Sequence, residues 1–366
     1  MSETIKPIAI YLPQFHPIPE NDNWWGKGFT EWTNVTKAKP KFKGHYQPHL
    51  PADLGFYDLR LEESRLAQEA LAKKYGIYGF CYYHYWFNGK RVLTEPIDRK
   101  MQNHKEDFPF MLCWANENWT RAWDGGIQNV LLEQIYSEED DRNHIKYLLS
   151  YFKDQRYIRV NNKPFFIFYK PDLFPDMAKT IAIFREEALK ENLELYIGCF
   201  ERWIGWTKEK MDEFDFDAII EFQPLSKSLR AFKKKSEQRF LKSTLKRIEK
   251  KVRKKLKLEP KMTSGDYKVN YKEFIEHDIE FVNKGVYPGV TPMWDNSSRR
   301  IGQNATMLLD STPELFKYWY KNKTAKQNFE GLDDNFIFIN AWNEWAEGNH
   351  LEPCQKWGTA YLEALL

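Results

Sequence analysis

The chain has 366 residues, 42% hydrophobic and 29% charged, which is enough apolar material for a large core and argues against a disordered chain. A net charge of +3 gives no global signal for a polyanionic partner, and no nucleic acid is expected. Four scattered Cys without a CxxC pair fit neither a disulfide framework nor a metal site, and no apolar run reaches the ~18 residues of a membrane span.

Residues 1–7 lack a basic segment followed by an apolar stretch, so no signal peptide is expected. Cys81, Cys113 and Cys199 lie inside apolar runs and read as buried free thiols, which fits a reducing compartment. The expectation is a cytoplasmic protein. The 14 Trp, 20 Tyr and 26 Phe read either as an aromatic core or as surfaces that stack sugar rings.

Eight short apolar runs follow in chain order, at 8–15, 77–86, 109–116, 164–170, 195–201, 217–222, 287–294 and 335–342. Several are continuously apolar rather than alternating, as in strands buried on both faces of a parallel sheet. Helical patterns separate most of them. Residues 58–75 carry Leu59, Leu66, Ala70 and Leu71 on one stripe and stop near Gly76. Residues 137–152 open on Ser137 as N-cap with acidic residues in the first turn, and 176–190 and 312–322 also read as helices. Eight strands alternating with helices predict a single-domain (β/α)8 barrel over 1–366, with a doubly wound sheet as the other architecture to weigh.

Two segments interrupt the alternation. Residues 17–57 form a long loop rich in Trp, Pro, Gly and His, of the kind that often carries function. Residues 226–261 hold 16 Lys and Arg against 3 Glu. Leu241, Leu245, Ile248, Val252 and Leu256 recur there at spacings of three and four, which predicts a basic amphipathic insertion. It reads either as a helix packed on the barrel with solvated lysines or as a contact with an anionic membrane surface, which would place the protein peripherally at the inner membrane.

Barrel enzymes build their sites at the C-terminal ends of the strands. Those ends carry Gln14 and His16, then His84 and Trp86, then Trp114, Asn116, Glu117 and Trp119. Further on come Glu201, Glu221, Trp294 and Asp295, and finally Trp342, Asn343, Glu344, Trp345 and Glu347. The loop 17–57 adds Trp25, Glu31 and Trp32. Cleaving a glycosidic bond needs two carboxyl groups, one to protonate the leaving oxygen and one to act as base or nucleophile. Glu344 and Glu347 are the most closely spaced strand-end pair. In an extended strand positions i and i+3 face opposite ways, so the pair converges only if the chain turns after Trp342, which Gly348 would ease. An ExxE pattern alone is weak, and solvated helix surfaces show it often. His16, His45 and His49 have no metal-ligand spacing, no GxSxG marks a nucleophilic Ser, and no GxGxxG or Walker A pattern calls for a nucleotide cofactor.

The segments 8–35, 44–60 and 76–98, with WANENWTRAWDG at 114–125 and INAWNEWAEGNHLEP at 339–353, resemble the WbsX group of polysaccharide-biosynthesis proteins over nearly the whole chain. That group carries a glycosyltransferase label and is associated with O-antigen and lipopolysaccharide synthesis. It is also similar to glycoside hydrolase family 99, the endo-α-mannosidases, which are (β/α)8 barrels. The resemblance implies a retaining hydrolase or transglycosylase working through a 1,2-anhydro sugar, with Glu344 as the base on the sugar 2-hydroxyl and Glu347 as general acid. It also implies substrate contacts at Asn343 and Tyr11. Ala346 departs from the polar residue family 99 carries between its Trp and second Glu, and the loop WWGKGFTEW at 24–32 belongs to the WbsX pattern alone, so the sugar need not be mannose.

Overall fold

A computed structural model describes residues 4–121, 126–201, 208–241, 265–281, 283–300, 304–327, 329 and 331–366. Eight strands form the barrel: β1 (Lys6–Tyr11), β2 (Gly79–Phe87), β3 (Phe110–Trp114), β4 (Lys163–Phe168), β5 (Tyr196–Glu201), β6 (Ala218–Glu221), β7 (Gly289–Val290) and β8 (Phe336–Ile339). All pair in parallel, β1 through β6 in sequence, with β8 on the other side of β1 and β7 beside β8. The ring closes where Ile220 bridges Tyr287: Glu221 N–H donates to Tyr287 O and Tyr287 N–H to Ile219 O, each at 2.9 Å. The molecule is therefore a (β/α)8 barrel, and every one of the eight apolar runs supplies one strand. Their continuous apolar character follows from burial on both faces, inside the barrel and beneath the helices.

The seventh run is the one the structure shortens. Only Gly289–Val290 stays in the barrel, while Trp294–Asp295 pairs antiparallel with Thr306–Leu309, which itself pairs with Tyr267–Asn270 in a small separate sheet. Helices Glu62–Lys74, Glu138–Phe152, Met177–Leu189 and Pro313–Lys326 occupy the expected positions, and Ser137 Oγ caps the second by accepting from Asp140 N–H. The helix Glu62–Lys74 has the expected period but a different phase. It buries Arg65, Gln68, Glu69 and Ala72, while Leu66 and Leu71 are half-buried and Ala70 is exposed. Its core face is polar because each group there is matched: Arg65 pairs with Glu106 at 2.7 Å, Glu69 with Lys100 at 2.6 Å, and Gln68 donates to Glu352 at 2.6 Å.

The basic stretch begins as the helix Lys227–Leu241, and its root is fixed. Leu229 is fully buried, Ser228 Oγ hydrogen-bonds Asp278, and Phe232 packs on Phe274 and His277. Residues 242–264, which hold most of the expected apolar stripe, lie outside the described residues. Among the described residues no helix is long and apolar enough to cross a membrane.

Barrel closure depends on one glycine. A Cβ on Gly289 would sit 2.3 Å from the carbonyl oxygen of Glu221, so any side chain there forces β6 and β7 apart. Gly289→Ala is expected to destabilise the fold by about 3 kcal/mol or more. Urea denaturation checks this; a midpoint equal to wild type would show that the seam tolerates widening.

Candidate active site

Beyond β8 the chain bends in steps that the local residues explain. Trp342 N–H still donates to Ile10 O at 2.7 Å, but the next bond to β1 is made by a side chain: Asn343 accepts from Leu12 N–H at 2.7 Å and donates to Leu12 O at 3.0 Å. Asn343–Glu344 then pairs antiparallel with Asn349–His350, and Trp345–Glu347 between them forms one turn of 3-10 helix. With three residues per turn, side chains at i and i+3 eclipse, which brings Glu344 and Glu347 to the same side. Gly348 ends the turn at φ 53°, and a Cβ there would lie 3.0 Å from Asp295 O, so the position suits glycine on both backbone and space. Trp345 locks the turn from behind, stacking on His350 at 3.8 Å and donating to Glu352 at 2.6 Å.

Both carboxylates meet one guanidinium. Arg299, at the end of the turn Asn296–Arg299 that follows Trp294–Asp295, pairs through one terminal nitrogen with Glu344 at 2.8 Å and through the other with Glu347 at 3.0 Å. The nitrogen that meets Glu344 is shared with a third carboxylate, Glu31, whose Oε1 lies 2.7 Å from it and accepts from Arg299 Nε at 2.8 Å. Burial pushes the Glu344 carboxyl up to about 8; Arg299 opposes this shift, and the charges of Glu347 and Glu31 add to it. Burial works against the Arg299 charge, but the three carboxylates outweigh it and hold the guanidinium well above its ordinary value.

Arg299, Glu344 and Glu347 line a cavity of about 530 Å³ at the C-terminal mouth of the barrel. Half-buried Trp24, Trp25 and Trp119 line it as well, with Tyr83, Tyr85, Tyr169 and Trp294 and the polar Gln14, Asn21, Glu117 and Asn296. Of the residues the sequence singles out, Gln14, Trp25, Glu117, Trp119, Trp294, Glu344 and Glu347 are brought together here. Glu31 stands behind them, fully buried, and reaches the site through Arg299.

The remaining expected contacts are turned into the walls. Tyr11 points out under the first barrel helix and donates to Gln68 at 2.6 Å. His84 faces His144 at 2.8 Å, and burial pushes its imidazole down to about 3. Trp86 donates to Asp140 at 3.0 Å, and Trp114 donates to Trp86 O at 3.2 Å. Asn116 bridges to Lys170 N–H and O at 2.8 and 2.7 Å, tying β3 to β4. Trp32 donates to Tyr57 O at 2.9 Å. Glu201 is covered by Lys227 and by Asn283 at 2.6 Å. Asp295 accepts from Gln47 at 2.8 Å, pairs with His45 at 2.6 Å and faces a second cavity of about 140 Å³. Trp342 is fully buried against Phe80, and Asn343 is consumed by its bonds to Leu12.

Sequence reasoning missed Arg299, Asn21, Trp24, Tyr83, Tyr85 and Tyr169. For β2 the signal was present. Side chains alternate along a strand, so a choice of His84 and Trp86 is a choice of one face, and Tyr83 and Tyr85 occupy the other. Nothing local marks Arg299, whose role appears only when residues 31, 299, 344 and 347 are brought together.

The fold has known counterparts. The glycoside hydrolase family 99 endo-α-mannosidase of Bacteroides thetaiotaomicron superposes with a TM-score of 0.56 at 13% identity, covering 100% of this chain and 96% of its own. A structure described as a glycoside hydrolase-like protein superposes with a TM-score of 0.59 at 12% identity, covering 100% of this chain and 93% of its own. In sequence, the uncharacterized protein WxcX of two Xanthomonas campestris pv. campestris strains is 38% identical over 363 residues, which is 98% of this chain and 48% of WxcX. The chain thus spans about half the length of these relatives. The family model described as Glycosyltransferase WbsX matches residues 7–365, so the chain belongs to the WbsX family.

Proposed function

We propose that this chain cleaves or transfers glycosidic bonds within an α-linked bacterial polysaccharide such as a mannan, a rhamnan or an O-antigen, as a retaining enzyme with Glu344 and Glu347 as the reacting pair. The observation that carries this reading is the meeting of both carboxylates on one guanidinium, in one cavity walled by Trp24, Trp25 and Trp119. Flat indole faces suit pyranose rings. A 530 Å³ cavity has room for more than one sugar unit, which supports endo action.

The chemistry balances with these two groups alone. Glu344 takes the proton of the sugar 2-hydroxyl, and that oxygen attacks the anomeric carbon to close a 1,2-anhydro ring. The bond to the departing oxygen breaks as Glu347 donates its proton. Water or an acceptor sugar then adds at the anomeric carbon as the bond from that carbon to O2 breaks, the incoming group giving its proton to Glu347 while the protonated Glu344 returns one to O2. A carboxyl pushed up to about 8 is a stronger base than an ordinary carboxylate, which suits removal of a hydroxyl proton. The family's name favours a second reading, a glycosyltransferase that uses a nucleotide-sugar donor.

Three measurements test these assignments. Glu344→Gln and Glu347→Gln should each lower release of sugar from α-linked mannan, rhamnan or O-antigen fragments by roughly 10²–10⁴-fold, with product anomers read by NMR. In wild type, kcat/KM should rise as pH passes through about 8, because the base must be ionised; a fall through the same pH would make Glu344 the acid instead. Full activity in both variants would remove the pair from the chemistry. In calorimetry, the hydrolytic reading expects no tight binding of UDP or GDP, and tight binding would move the assignment to the transferase.

The stability of Glu344→Gln should move the other way. The folded carboxyl stays protonated up to about 8, against an ordinary value of 4.5, so the unfolded chain loses its proton first. Stability from this group therefore declines as pH rises from about 4.5 to about 8 and is level above. The variant lacks that decline, so its Tm should exceed wild type by about 3 °C or more at pH 8.5 and match it near pH 4.5. Equal melting curves at both pH values would show that Glu344 carries no such burden.

A further inference from the structure

We propose that Arg299, anchored by Glu31, is the positioning residue of the carboxylate pair: it seats Glu344 and Glu347 on the two terminal nitrogens of one planar group, and its charge favours the ionised form of Glu344. The proposal rests on the reading of Glu344 and Glu347 as base and acid.

Three elements are built to hold this guanidinium still. Glu31 opens the helix Glu31–Lys37, and its N–H donates to Gln14 O at 3.1 Å, which ties it to the end of β1. Its carboxylate is fully buried, and its Oε1 accepts from Arg299 Nε at 2.8 Å and lies 2.7 Å from the terminal nitrogen that also meets Glu344. A carboxylate so placed is costly to bury unless it is paired, and Arg299 supplies the pairing. The turn that carries Arg299 is fastened to the turn that carries the glutamates: Ser298 Oγ donates to Ala346 O, and Gly348 packs against Asp295. Trp32, one residue after Glu31, packs on Trp345, between the two glutamates, with ring centres 5.5 Å apart. The three carboxylates thus meet one cation: Nε and Nη2 face the buried Glu31, Nη2 is shared with Glu344, and Nη1 reaches Glu347, so two of the three partners line the cavity. A purely structural ion cluster has no need to present two of its three carboxylates to an open cavity.

Only arginine offers this geometry. Its planar fork addresses several carboxylates in fixed directions, whereas a lysine ammonium is one point charge on a flexible stem. Removing the cation leaves Glu344 facing Glu347 and Glu31 without compensation, which favours its protonated form.

A titration of 13Cδ-glutamate-labelled protein by NMR tests this without a substrate. The resonance missing from Glu344→Gln identifies Glu344 in the wild-type spectrum. Arg299→Met should raise its proton affinity at least tenfold, and Arg299→Lys should raise it by a smaller factor. A folded variant of either kind that titrates at the wild-type midpoint overturns the proposal, and the lysine variant decides the matter if the methionine variant does not fold. In parallel, hydrolysis of α-linked mannan, rhamnan or O-antigen fragments by Arg299→Lys should lose kcat by about 10-fold or more with KM little changed. Unchanged kcat also overturns the positioning role. Full activity of Glu344→Gln would instead sink the catalytic reading, and the titration would then still report on the clamp.

Discussion

The site depends on one guanidinium that makes three buried or half-buried carboxylates tolerable in a single corner. Without Arg299, Glu31 and Glu344 would be uncompensated charges in a wall that excludes water, and such groups neutralise or drive the wall open. With it, Glu344 remains a group that can exist in both forms near neutral pH. That position is unfavourable for stability and favourable for proton transfer. The surroundings are accordingly over-determined: the Asn343–Leu12 bonds, the Trp345–His350 stack, the Gly348 turn and the Ser298 bond all converge on a few residues. Local rigidity of this kind keeps the two carboxylates in one geometry at the cost of an unfavourable electrostatic environment.

The architecture was legible because a parallel barrel imposes a strong pattern. Each strand is covered on both sides, so each reads as an unbroken apolar run, and all eight runs are found in the ring. Where legibility failed, the reason lies in orientation. Tyr11, His84, Trp86 and Trp342 are at strand ends, as the barrel rule requires, but their side chains point outward beneath the helices or into the packed wall. A polar residue on the outer face of a barrel strand is as buried as one on the inner face, so composition cannot separate them. Only the parity of the strand can, and parity needs one residue of known direction. The turn at Glu344–Glu347 was legible for a different reason, since i, i+3 convergence and a following glycine are local facts. Arg299 and Asn21 were not, because their significance comes from segments far apart in the chain.

Polar matching also explains why the apolar stripe misjudged the helix Glu62–Lys74. The layer between barrel and helices contains Arg65 with Glu106, Lys100 with Glu69, and Lys323 with both Glu221 and Asp278. Each pair sits almost out of contact with water, so breaking one would strand a charge, although replacing both partners with apolar groups could be neutral. Their common property is direction: they join one helix to the next, or to a strand end, at a fixed angle. The root of the basic helix uses the same device, with Asp278 receiving Ser228, Gln223, Trp319 and Lys323. The start of that helix is held rigidly against the barrel, close to Phe222 and Leu225 at the cavity wall.

On the proposed chemistry, hydrolysis and transfer differ only in what opens the anhydro ring, so the outcome is decided by the half of the cavity that receives the acceptor. In water the competitor is present at overwhelming concentration, and a sugar prevails only if binding holds it in line before water arrives. Trp24 and Trp25 end the short helix Pro19–Trp25 that follows β1, and Trp119 opens the strand Trp119–Arg121 beyond β3, with Trp24 and Trp119 in edge contact at 5.9 Å. These indoles stand on elements outside the turn that carries the carboxylates. Changes in that wall can therefore favour an acceptor sugar over water while the proton-transfer machinery stays as it is.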